Sequence, residues 1–81
     1  MRSAVQFLAG FQTNSDNKDN PTLRVFVSML SMAVNDTAAL NSSQEDFLSA
    51  LIAEQMENPA GRKYPGMAAA RDTAAWINSC R

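Results

Sequence analysis

Apolar residues recur at helical spacing in four stretches of the chain, and no stretch shows the strict alternation of a half-buried strand. In the first, residues 3–12, Ala4, Phe7, Leu8 and Phe11 form one stripe. Gly10 weakens its end, and Thr13 to Asn20 is a run of turn formers. Asn20-Pro21 then places an N-cap before a proline at the first helical position, which predicts a helix over 21–36. Leu23, Phe26, Val27, Leu30 and Val34 make one stripe of it, and Val25, Met29 and Met32 a second. A helix apolar nearly all round is expected at the centre of a bundle. It should stop around Asn35-Asp36 or fray on to Leu40.

The third stretch, 43–57, opens with Ser42 and Glu45 at the spacing of a capping box. Phe47, Leu48, Leu51, Ile52 and Met56 supply its inward face, with Glu54 and Glu57 outside. Asn58-Pro59 closes it, because a residue before proline is pushed out of helical geometry. In the fourth, 65–79, Met67, Ala70, Ala74 and Ile77 form one row, with Thr73, Trp76 and Cys80 beside it. The expected fold is all-α, a single-domain bundle of about four helices over residues 1–81, with no strand. Phe26 and Trp76 are expected in its core.

Composition changes the picture in two ways. A chain of 81 residues makes one small domain. Such a domain buries only ~60–65 % of its unfolded surface, and oligomerisation is a common remedy. The balance of 46 % hydrophobic to 19 % charged residues is enough for a core. The net charge of −1 argues against a general nucleic-acid binder. No apolar run reaches the ~20 residues of a membrane span. Met1-Arg2-Ser3 opens without the long apolar region of a signal peptide, so the chain is expected to be intracellular or to have lost its signal.

The inventory of reactive side chains is short. With no histidine and one cysteine, the chain can build no Ser-His-Asp or Cys-His arrangement, no ordinary zinc site and no internal disulfide. A calcium loop counted from Asp16 fails, since its third position is Lys18 and its sixth Pro21. Asp16 with Asp19, and Glu45 with Asp46, lie in polar sequence that would not tune a catalytic carboxylate. The expectation is a protein that is not an enzyme, holds no cofactor and works by contact with a protein partner. Arg62, Lys63 and Tyr64, in a loop stiffened by Pro59 and Pro65, are the candidate partner-binding residues, together with Met67. Five methionines and the second stripe of the 21–36 helix suggest surplus apolar surface, hence a homodimer or a partner face.

The order of segments resembles the Tai/Rap family, immunity proteins against type VI secretion amidase effectors. Phe7-Leu8 before a polar loop is similar to that family's opening helix, and Arg24 to Asp36 to its central helix. Ser42 to Met56 with Asn58-Pro59 resembles its capped third helix, and Trp76 to Cys80 its closing stretch. The chain departs from the family's cysteine pattern, offering Phe11 and Val27 in the regions concerned. The resemblance implies a small helical periplasmic dimer that plugs the cleft of a peptidoglycan amidase. Two other readings compete. One is a cytoplasmic inhibitor from a phage or mobile element, directed at a host defence complex. The other is a helix-turn-helix DNA binder. It needs a basic exposed face, yet Gln44 to Glu57 contains no cation and Arg71 is the only one inside the fourth helix.

Overall fold

Each of the four apolar stretches folds as a helix. The computed structural model describes residues 1–14, 18–57 and 67–80. Along the chain run β1 (Arg2–Ser3), α1 (Ala4–Thr13), α2 (Pro21–Ala33), β2 (Ala39–Leu40), α3 (Ser42–Met56) and α4 (Met67–Ser79). The architecture is an all-α bundle with one small antiparallel β-pair attached.

That pair corrects the expectation of no strand. Arg2 lies opposite Leu40 and Ser3 opposite Ala39, and the Ala4 amide donates to the Ala38 carbonyl at 3.0 Å. Two residues per strand are too few to display a period of two, so the pattern left no trace in the sequence. Arg2 Nε also donates to Glu45 Oε2 at 3.0 Å, tying the N-terminus to the first turn of α3.

The caps differ by detail. Asn20 Oδ1 accepts from the Leu23 amide at 3.1 Å, with Pro21 beginning α2. The capping box of α3 sits one residue earlier than the Ser42–Glu45 spacing suggests. Asn41 Oδ1 accepts from the Gln44 amide at 2.9 Å, and Gln44 Oε1 accepts from the Asn41 amide at 2.8 Å. Asn is as strong an N-cap as Ser, and Glu45 is held instead by Arg2. Helix α2 ends at Ala33, short of Asn35-Asp36, because Val34 turns to extended backbone and still buries its side chain. Asn78 secures that end from α4. Its Nδ2 donates to the Ala33 carbonyl at 3.2 Å, and its Oδ1 accepts from the Asn35 amide at 2.8 Å.

Helix α2 is central, packed on α1, α3 and, most extensively, α4. Its inner stripe of Leu23, Phe26, Val27 and Leu30 is buried among Leu8, Leu40, Leu48, Ile52 and Ile77. The alanines of α4, Ala70 and Ala74, are buried too, which permits the close approach of α4 to α2. Gln12 of α1 clamps α2 from the other side, its Nε2 donating to the Arg24 carbonyl and to Ser28 Oγ, each at 3.1 Å. Two aromatic expectations are corrected. Trp76 is only partly buried, and Phe47 is half exposed. The α3 stripe has two lines, Leu48–Ile52 and Phe47–Leu51, and only the first faces α2 squarely.

Candidate functional site

The second stripe of α2 faces outward. Met32 is 88 % exposed and Val25 55 %, while Met29 lies partly buried between them and the core. On the neighbouring helix, Met67 is 57 % exposed. Met29, Met32, Ala33, Met67 and Ala70 line an apolar hollow of about 140 Å³ with Arg71 at its rim. Met29 and Met32 also border a shallower depression of about 410 Å³ that runs past Val25 to Pro21 and Arg24. The two make one apolar strip along α2, from its first residue to the start of α4. Its charged neighbours are both arginines, Arg24 and Arg71.

Methionine suits such a strip. Its unbranched thioether chain changes rotamer at little cost and fits irregular partners. Scattered exposed apolar residues are ordinary on a protein surface, but contiguous ones mark interaction surfaces. Of the four partner-binding candidates, Met67 lies on this strip. Arg62, Lys63 and Tyr64 lie outside the described residues, as do Asp16, Asn58, Pro59 and Pro65.

A second feature separates α3 from α4. Helix α4 packs chiefly on α2, and α3 rests on α2 and β2, so a cleft of about 560 Å³ stays open between them. Phe47 and Trp76 bridge it, with ring centroids 5.0 Å apart and planes inclined at 51°. Among the described residues, Asp72 is the one charged side chain lining it.

Cys80 is the chain's one thiol. Burial pushes the Cys80 thiol up from its ordinary value, and its Sγ donates to the Trp76 carbonyl at 3.3 Å. A thiol held protonated in this way is a poor nucleophile. Among the described residues, no group of three or more acidic, thiol or imidazole side chains is placed to hold a metal ion. No helix among them is long and apolar enough to cross a membrane.

The chain matches no protein-family model, no curated protein and no solved structure. Its site is therefore read from its own geometry. Sequence reasoning found the second stripe of α2 and Met67 but missed the α3–α4 cleft. A signal for it was present. An apolar stripe covering positions 47, 48, 51 and 52 is wider than one neighbouring helix can bury.

Proposed function

We propose that this protein is a non-catalytic inhibitor that binds a partner protein and occludes its working surface, using the α2–α4 strip as its contact face. One observation carries the reading: a helix whose inner stripe is fully buried keeps Val25 and Met32 in solvent, in line with Met67 of the next helix. Such a row of adaptable side chains flanked by two arginines has the composition of an interface centre, where methionine and arginine are enriched. The likeness in segment order to the Tai/Rap immunity proteins makes a secreted peptidoglycan amidase the expected partner. The acidic character of α3, with Glu45, Asp46, Glu54 and Glu57 and no cation, weighs against a nucleic-acid partner.

The test compares affinity capture from the source organism by the wild-type protein and by Met32→Glu. A protein retained only by the wild type, whose purified activity falls on adding this chain, is the expected result. Recovery of an amidase supports the immunity reading. A cytoplasmic nucleoprotein complex moves the target to a host defence system. If both forms retain the same proteins, the strip is not the contact face.

A further inference from the structure

We propose that the cleft between α3 and α4 is a second docking groove, which receives an amphipathic helix presenting an apolar anchor beside a lysine or arginine. This site lies apart from the α2–α4 strip and does not depend on it.

The cleft has the shape of a helix receptor. It is lined by Phe47, Leu51 and Gln55 of α3 and, from α4, by the small side chains of Ala68 and Ala69 with Asp72, Thr73 and Trp76. Phe47 is 50 % exposed at one wall and meets a partly buried Trp76 at a tilt of 51°. A half-exposed aromatic pair is an anchor platform, since large apolar area is withdrawn from water only when a partner arrives. Helix-in-groove recognition uses surfaces of this kind.

The charge of the partner follows from the charge of the walls. Among the described residues, Asp72 carries the only charge in the lining, is exposed, and makes no hydrogen bond or ion pair with another described residue. It stands four residues before Trp76 on α4, so the carboxylate and the indole share one helix face. A cationic side chain laid there meets a carboxylate and an aromatic ring together. Asp46 and Glu54 of α3 and Glu57 at its C-cap are exposed, and Glu45 is already engaged by Arg2. The Thr73 hydroxyl is committed to the Ala69 carbonyl at 2.9 Å. Asp72 and Gln55 are left as the polar groups facing an occupant.

Trp76 is the only tryptophan, so its fluorescence reports on this groove alone. The full-length protein is titrated with two synthetic helical peptides of one leucine pattern, with arginine and lysine at the polar positions of the first and glutamate in the second. The cationic peptide should shift Trp76 emission to shorter wavelength in a saturable manner, and the acidic one should not. Asp72→Lys should weaken the cationic peptide by about tenfold, the size expected when one charge-assisted contact is lost. Asp36→Lys makes the same change in net charge away from the groove and should leave affinity unchanged. Phe47→Ala should weaken binding, and Met32→Glu should leave it unchanged, which separates this groove from the inhibitory strip. The proposal is overturned if both peptides act alike, or if Asp36→Lys weakens binding as much as Asp72→Lys. It is overturned too if protein concentration alone shifts the emission, because the occupant is then a second copy.

Discussion

Phe26 is fully buried where α2 meets its neighbours, whereas Phe47 stands half exposed on α3. The same ring therefore has two different consequences for stability. Phe26→Ala should lose ~3–5 kcal/mol, from transfer and from the cavity left behind. A domain of 81 residues has only ~4–12 kcal/mol in total, so this variant should be mostly unfolded or close to it. Phe47→Ala should lose about 1 kcal/mol, because half of its area is already in water. Urea denaturation of both variants checks the ratio, and equal losses would place Phe47 in the core. Cys80 gives a prediction in pH. The raised thiol pKa means that the unfolded chain ionises first as pH rises. The stability linked to the neutral thiol is whole below the ordinary thiol value and is lost as pH climbs through the raised native one. Reaction with Ellman's reagent should be slow at neutral pH and accelerate above the ordinary value. Cys80→Ala should remove that alkaline loss of stability.

Among the elements, legibility followed the length of the signal. Leu23, Phe26, Val27 and Leu30 repeat over enough turns to announce a buried helix, and Asn20-Pro21 marks its start without ambiguity. The β-pair has no such length, and its cause is tertiary: the Leu40 side chain must reach the core, which draws residues 39–40 alongside 2–3. The start of α3 offered two capping sets one residue apart, Asn41 with Gln44 and Ser42 with Glu45. Local sequence could not choose between them, whereas the pairing of Arg2 with Glu45 takes that carboxylate out of contention. The choice predicts asymmetric losses. Asn41→Ala should lose ~1 kcal/mol, and Ser42→Ala should stay within ~0.5 kcal/mol of the wild type. Thermal or urea unfolding decides it, and the reverse order would restore the Ser42 box. Asn78 is the corresponding device at the end of α2. Asn78→Ala leaves the Ala33 carbonyl and Asn35 amide without their partner. It should cost ~1 kcal/mol, the usual net value of such bonds where water can partly replace them.

At the scale of the molecule, the two apolar surfaces carry opposite charges at the described residues that line them. Among the described residues, Arg24 and Arg71 line the α2–α4 strip, and Asp72 lines the cleft. The strip was partly legible, since a second apolar stripe on a central helix has to face something. The cleft showed only as the surplus width of the α3 stripe, because its opening depends on how far α3 and α4 stand apart. The strip also bears on the expectation of a homodimer, in which a second copy would compete with the partner protein for the same face. Two copies of α2 laid antiparallel, with the two-fold axis near Ser28, would set Met32 of each against Arg24 and Val25 of the other. A helical side chain leans towards its own N-terminus, so Arg24 would lean towards the other copy's C-terminal end of α2. There it meets the negative end of the helix dipole and the exposed Asp36. This arrangement is isologous and closes on itself, as a dimer requires. It predicts that sedimentation velocity of the purified protein shows a concentration-dependent shift from monomer to dimer. Met32→Glu should abolish the shift and Arg24→Glu should weaken it, more at low salt than at high salt. Phe47→Ala should leave it intact. A protein that stays monomeric at every concentration has no such pairing, and a shift abolished by Phe47→Ala would move the dimer contact to the cleft.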